Sequence, residues 1–202
     1  MLQKNEVKHM VAAFDSRTPT FRHEMYPEYK ATRQKTPEDL HAQVPIIEEI
    51  LTALGVTTIR QDGFEADDLI ATVARQCKAE NRECRILSGD KDLMQLVNDS
   101  TFMMKTDKTG NWITIDSDGV IEEWGVPPEK MLDMLTLVGD KADNVPGVSG
   151  IGEKTAKKLI DEYGSLDKIL ENADKISGAI GKKLQNGKDE ANFSRELIKL
   201  RS

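Results

Sequence analysis

Apolar residues fall into two rhythms along the chain: short compact runs in the first half and helical spacing in the second. Met-Val-Ala-Ala-Phe at 10–14 is an apolar run ending at Asp15 and predicts a buried strand. Thr57–Ile59, 84–88, 101–105 and Trp112–Ile115 read as further strands, the last two joined by Lys-Thr-Gly-Asn. Between them, Pro37-Glu38-Asp39 opens a helix with Thr36 as N-cap. Its apolar positions Val44, Ile47, Ile50, Leu51 and Leu54 are expected to face a core, and Gly55 stops it. A second helix, 65–79, turns Ala66, Leu69, Ile70 and Val73 inward, and a short one covers 92–97. The stretch 19–33 is polar, basic and aromatic with little core pattern, which predicts a mobile or arching helical segment.

Beyond about residue 116 the pattern is purely helical, with candidates at 120–124, 128–138, Glu153–Tyr163, 166–170 and 189–200. Strands alternating with helices predict an α/β fold, a mostly parallel sheet with flanking helices on both faces. A helical C-terminal module then packs on that core.

Composition narrows the picture. The 202 residues suffice for one full core, or one core with a small appended module. No apolar run approaches bilayer length, and Met-Leu-Gln-Lys-Asn-Glu has no signal-peptide character, so the expectation is a cytoplasmic chain. Cys77 and Cys84 lack the paired spacing of a zinc site and are expected as buried small hydrophobes in a reducing compartment. The net charge of −7 runs against the basic footprint of a nucleic-acid binder. Setting aside eight candidate site acids leaves near balance, so the acidity argues only against diffuse whole-surface binding of DNA.

Those eight acids are placed unusually. Asp15 ends the first strand. Glu65, Asp67 and Asp68 follow the Gly63 turn into a helix. Asp90 and Asp92 follow the third strand in Ser-Gly-Asp-Lys-Asp, and Asp140 and Asp143 lie in Gly-Asp-Lys-Ala-Asp-Asn. Ligands of open α/β sheets gather at the carboxyl ends of strands, so three groups are expected on one sheet edge, with the fourth folding back to join them. Hard divalent cations prefer such oxygen donors, and two of them about 4 Å apart can activate water and stabilise the leaving oxygen of a phosphodiester. Without metal the acids repel one another, which raises some of their pKa values. Each cluster taken alone also suits helix capping or ordinary loop chemistry; their joint placement favours metal.

Two further stretches suggest nucleic acid. In Pro146-Gly147-Val148-Ser149-Gly150-Ile151-Gly152-Glu153-Lys154-Thr155-Ala156, glycines bring backbone close to a ligand and a helix then points free N–H groups at it. Lys154 and Thr155 add contacts, and Lys157 and Lys158 extend the basic face. This is a helix–hairpin–helix pattern suited to a DNA backbone, although a plain helical connection with core-facing Val148 and Ile151 gives the same hydrophobic pattern. Arg17, Phe21, Arg22, Tyr26, Tyr29, Lys30, Arg33 and Lys35 interleave cations and aromatics, as where a single strand threads and stacks; a solvated surface helix reads equally well. Arg22 and Lys30 are candidates to reach a scissile phosphate.

Together, Ala-Ala-Phe-Asp15, Thr-Phe-Arg22-His-Glu, Tyr29-Lys30-Ala-Thr-Arg33, Gly63-Phe-Glu65-Ala-Asp67-Asp68, Ser-Gly-Asp90-Lys-Asp92 and the run from Gly139 to Ala156 resemble the 5′→3′ exonuclease domain of bacterial DNA polymerase I, part of the flap endonuclease family. The resemblance spans nearly the whole chain in order. It implies a PIN-like or resolvase-like nuclease core over 1–143, with a helical arch near 16–36, and a helix–hairpin–helix DNA-binding module over 144–202. It implies two Mg²⁺ (or Mn²⁺) ions on Asp15, Glu65, Asp67, Asp90, Asp92 and Asp143, with Asp68 and Asp140 in the same acidic cluster. Lys30 and Arg22 would sit in the gateway as catalytic and DNA-contacting cations together with Arg33. Gly150, Ile151, Gly152, Glu153, Lys154 and Thr155 would bind the duplex backbone, beside a potassium ion on the carbonyls of Leu137, Val138, Pro146, Val148 and Ile151. A stand-alone branch of the family lacks the acids matching Asp140 and Asp143, so their presence implies the polymerase-linked branch.

One departure follows from the resemblance. Family members begin with an apolar strand ending in a further metal-binding Asp, whereas residues 1–8 here read as the end of the next helix. The expectation is a fragment, or a reading frame with a misplaced start, with an exposed sheet edge. The implied activity is metal-dependent cleavage of DNA at a 5′ flap or 5′ end by a monomer. The alternatives are a non-catalytic module binding branched DNA, and a ribonuclease of a related acidic fold, which the duplex-binding turn argues against.

Overall fold

The computed structural model describes residues 7–34 and 37–202. The expected N-cap Thr36, most of the expected first helix end at 1–8, and Lys35 therefore lie outside the described residues. Strand β1 (Val11–Ala13) pairs in parallel with β2 (Thr57–Ile59), Val11 opposite Thr57 and Ala13 opposite Ile59. Strand β3 (Cys84–Leu87) pairs in parallel with β4 (Thr101–Thr106), and β5 (Trp112–Ile115) closes antiparallel on β4. The sheet is thus parallel where βα crossovers connect it, but it is in two pieces among the described residues.

Between the strands run α1 (Phe21–Met25), α2 (Glu38–Ala53) and α3 (Ala66–Ala79). A 3₁₀ turn, Lys91–Leu96, replaces the short helix expected at 92–97; Asp90 caps it by accepting from the Asp92 N–H at 3.0 Å. The helical half comprises α4 (Ser117–Trp124), a 3₁₀ turn Pro128–Lys130 running into α5 (Met131–Val138), then α6 (Glu153–Tyr163), α7 (Leu166–Glu171), α8 (Gly178–Asn186) and α9 (Lys188–Ile198). Helix α5 is the keystone: it packs on α6 and α9 and on the 3₁₀ turn after β3, joining the helical half to the sheet. Met131, Met134, Leu135 and Leu137 on α5 and Leu93, Met94 and Met103 on the sheet side form one continuous core. Among the described residues no helix is long and apolar enough to cross a membrane.

Three expectations need correction. Helix α2 forms where its periodicity placed it, but it has no buried residue; Ile47, Ile50 and Leu54 are 41, 54 and 71 % exposed. Its principal neighbour is β2, a three-residue strand too short to cover a 16-residue helix. Helix α8 was not expected, because Gly178 and Gly181 dilute its helix-forming character and only Ile180 and Leu184 mark an apolar face. Gly181 is there for closeness: a Cβ would lie 1.8 Å from the Ile176 carbonyl oxygen. The cysteines, expected buried, are half-buried free thiols; burial first, and then the neighbouring Cys77 thiol, push Cys84 up to about 12.

Candidate functional site

The acids come together at the ends of β1 and β3, the start of α3 and the loop after α5. The Phe14 N–H donates to the Ile59 carbonyl and carries the β1 pairing one step further, so Asp15 emerges at the strand end. There its Oδ1 accepts from the Ala66 N–H at 2.9 Å, at the first turn of α3. Glu65 precedes that turn and is buried. Asp140 and Val145 exchange backbone hydrogen bonds of 2.9 and 2.7 Å, closing the 140–145 loop so that Asp140 and Asp143 are both buried.

Electrostatics tie the two sides together. Asp67 is pushed up to about 7, by burial first and then by the charges of Asp90 and Glu65. Asp92 is likewise pushed up to about 7, by burial and then by Asp90, Asp140 and Asp143. Acids of the sheet and of the helical half therefore share one field. The Asp92 Oδ1 is shielded from solvent and has no hydrogen-bond partner. An all-oxygen donor set with mutual repulsion and a buried unpartnered oxygen fits a hard divalent cation. As they stand, no three such groups among the described residues are near enough to enclose an ion.

Cations of the chain occupy that field instead. Lys30 Nζ donates to Glu65 Oε1 at 2.6 Å and lies 3.7 Å from Asp143 Oδ2. Arg33 pairs with Asp143 Oδ1, and Lys91 Nζ donates to Asp140 Oδ2 at 2.7 Å. Burial acts to lower the Lys91 pKa, but its hydrogen bond to Asp140 and the surrounding acids outweigh this and raise it. Between the two halves sits Tyr29, 5 % exposed, whose hydroxyl lies 3.1 Å from both Glu65 Oε2 and Asp143 Oδ2. Burial and those two carboxylates push its pKa upward, keeping it a donor. The segment expected to be mobile or arching and helical carries α1 and is folded down onto the 140–145 loop: the Lys30 N–H donates to the Asp143 carbonyl at 3.0 Å, holding Lys30 at φ 58, and Asn144 Nδ2 donates to the Glu28 carbonyl at 2.8 Å.

Arg22 and Asp68 are bound to each other. Arg22, expected in the helical gateway, is 2 % exposed; its guanidinium donates to Asp68 Oδ2 and Oδ1 at 2.7 and 2.9 Å and to the Leu197 carbonyl at 2.6 Å. Asp68, expected in the acidic cluster, also accepts from the Glu65 and Arg201 N–H groups, which leaves its oxygens no room for a metal. Tyr29 and Lys91 were missed as site residues, although Lys91 between Asp90 and Asp92 is a readable signal.

The glycine-rich turn follows directly on the 140–145 loop. Gly150 has φ +74, Gly152 precedes α6, and Gly150, Gly152, Glu153 and Lys154 are exposed while Ile151 is buried. An open groove of about 1020 Å³ is lined by Val138, Gly139, Lys141, Pro146, residues 148–155 and Glu190. Of the five carbonyls expected to hold potassium, that of Leu137 accepts from the Val148 N–H and that of Val148 from the Ile151 N–H, both at 2.9 Å. Each keeps a second lone pair.

Two family models match, end to end: the 5′–3′ exonuclease N-terminal resolvase-like domain over residues 1–125 and the 5′–3′ exonuclease C-terminal SAM fold over 126–202. The chain belongs to the 5′–3′ exonuclease family. It is similar to DNA polymerase I of Treponema pallidum, 50 % identical over 194 residues, covering 96 % of this chain and 20 % of that protein. Against DNA polymerase I of Bacillus subtilis it is 42 % identical over 199 residues, covering 98 % and 23 %. The chain therefore spans about a fifth of the length of these relatives. Its fold is shared with the 5′-exonuclease of bacteriophage T5 bearing zinc ions, at TM-score 0.82, 22 % identity, 98 % of this chain and 77 % of that one. The catalytic core of Rad2 in complex with DNA aligns at TM-score 0.57 and 18 % identity, over 90 % and 59 %. The resolvase-like core and helical module expected from the sequence are those of the family, which sets its own division between residues 125 and 126.

Proposed function

We propose that the chain is a divalent-metal-dependent 5′→3′ DNA exonuclease and 5′-flap endonuclease of replication and repair. The observation that carries this reading is the common field of Asp67, Asp90, Asp92, Asp140 and Asp143, drawn from both halves of the fold. Two Mg²⁺ or Mn²⁺ ions held there would supply an activated water and a stabilised leaving oxygen. Asp15, Glu65, Asp67, Asp90, Asp92, Asp140 and Asp143 would hold them. Lys30, which donates to Glu65 Oε1, would bind the scissile phosphate and offset its developing charge, while Arg33, half exposed on Asp143, would contact the strand beside it. Tyr29 keeps Glu65 and Asp143 at a fixed separation. The Gly150–Thr155 turn and the N-terminus of α6 hold the duplex backbone, with a potassium ion on the neighbouring carbonyls. The relatives and structural neighbours support this reading: they are DNA polymerases I, a T5 flap endonuclease with DNA and metal ions, and a Rad2–DNA complex. A covalently joined polymerase in the full-length protein and a monomeric state belong to the same proposal.

Incubating the chain with labelled 5′-flap DNA and Mg²⁺ is the direct test. Cleavage near the single-strand to duplex junction is expected, abolished by chelation and reduced on the order of 10²-fold in Lys30→Met. Cleavage that survives chelation would sink the two-metal reading. A second reading, a non-catalytic module for branched DNA, is favoured by one observation: among the described residues no three acids stand close enough to enclose an ion. It predicts salt-sensitive binding of the same DNA without turnover at any Mg²⁺ concentration.

A further inference from the structure

Helices α8 and α9 meet at a corner against the glycine-rich turn. Gly187 forms that corner; a Cβ on it would lie 2.9 Å from Val148 Cγ1, so backbone lies directly on the Val148 side chain. One helical turn earlier, Lys183 Nζ donates to the Gly150 carbonyl at 2.9 Å. Two turns later, Ser194, with no exposed surface, accepts from the Gly147 N–H at 3.0 Å. Residues 147, 148 and 150 are thus each held by one residue of this corner. Both glycines among them need holding: Gly147 and Gly150 have φ +63 and +74, and a Cβ on Gly147 would lie 2.4 Å from the Gly139 nitrogen. A chain free to leave these conformations loses the alignment of the N–H groups that open α6.

We propose that the α8–α9 corner is a clamp on the 147–150 turn and that Lys183 is a positioning residue for duplex DNA, acting through the Gly150 carbonyl and not on a phosphate. This rests on the reading of the turn as the DNA-backbone site. The ammonium of Lys183 is already directed at a carbonyl, where it makes a charge-assisted bond and fixes the peptide that leads into Ile151 and Gly152. The sequence alone hides this role, since Lys182 and Lys183 look like two more surface cations on a helix near DNA.

The two roles differ in their salt dependence. A phosphate contact releases a counterion, and its loss lowers the slope of log affinity against log salt by about one; loss of a positioning bond weakens binding in parallel at all salt concentrations. The full chain is compared as wild type, Lys183→Met, Lys183→Arg and Ser194→Ala, with Lys154→Glu as a control at the turn itself. Amide hydrogen exchange of residues 147–152 is read without DNA, and affinity for a fluorescent flap duplex is read from 50 to 200 mM KCl. For Lys183→Met we expect faster exchange at the turn, binding weakened about tenfold with an unchanged slope, and recovery in Lys183→Arg. Ser194→Ala moves both readouts the same way; because Lys183 is exposed, its variants fold even if Ser194→Ala does not. Unchanged exchange with a slope lower by one makes Lys183 a phosphate contact and overturns the proposal, as does unchanged affinity while Lys154→Glu is weakened. If Lys154→Glu also binds like wild type, the DNA reading of the turn fails, and exchange alone then decides whether the clamp exists.

Discussion

Asp92→Asn is expected to raise the melting temperature of the metal-free chain and, at the same time, to abolish its stabilisation by Mg²⁺ and its cleavage of flap DNA. Asp92 stands among Asp90, Asp140 and Asp143 with one buried oxygen unpartnered, and burial with those charges pushes it up to about 7. An acid whose pKa is higher folded than unfolded binds its proton more readily when folded. The stability it lends is complete below about pH 4 and is lost as pH rises through about 7. Asp67 follows the same sign. Unfolding scans in chelator between pH 5 and 8 should therefore show the wild type losing stability with pH, and Asp92→Asn losing less. Relief of about 1–2 kcal/mol at pH 7.5 corresponds to roughly 2–8 °C for a chain of this size. Metal binding needs the charged form, so Mg²⁺ added to the wild type at pH 7 releases protons, measurable by calorimetry in two buffers of different ionisation enthalpy. Cleavage by Asp92→Asn falls by on the order of 10³-fold. A variant no more stable than wild type in chelator would show that the acids do not repel one another, and the metal reading would lose its main physical support.

The sequence carried the elements better than their surroundings. Periodicity placed α2, α3, α6 and the five strands within a residue or two, because each is a local pattern. It did not reveal that the apolar stripe of α2 is left uncovered, since burial depends on what arrives from elsewhere in the chain. It also missed α8, whose packing relies on Gly181 and Gly187, where an absent side chain is the contact. The site shows the same division. Acids at strand ends were legible because topology alone brings strand ends to one edge. The partners of those acids were not: Tyr29 looked like a stacking aromatic, and Lys91, though it stands between two candidate acids, carries no mark of which acid it pairs with. Both reach across more than 45 residues or between the two halves, a distance no local pattern encodes.

Arg22 offers the sharpest choice between sequence and structure. Read from the chain, it is a gateway cation, and replacing it should weaken DNA binding and leave the fold alone. In the structure it is buried in a bidentate pair with Asp68, beside Glu65 at 3.2 Å, and it donates to the backbone carbonyls of Leu197 and Lys199. Asp68 in turn accepts from the Arg201 N–H, and the Arg201 guanidinium stacks 3.6 Å from the Phe21 ring centroid. One ion pair thus ties α1, α3 and the segment after α9 together. Arg22→Met strands a buried carboxylate and is expected to cost about 3–5 kcal/mol, a fall in melting temperature of roughly 6–20 °C. Arg22→Met combined with Asp68→Leu removes both charges and should recover much of that loss, because a matched apolar pair escapes the desolvation penalty. The carbonyls of Leu197 and Lys199 still lose a donor, so recovery stays incomplete. If Arg22→Met instead melts with the wild type and only binds DNA less tightly, Arg22 works in the gateway and the buried pair does not hold the two halves together.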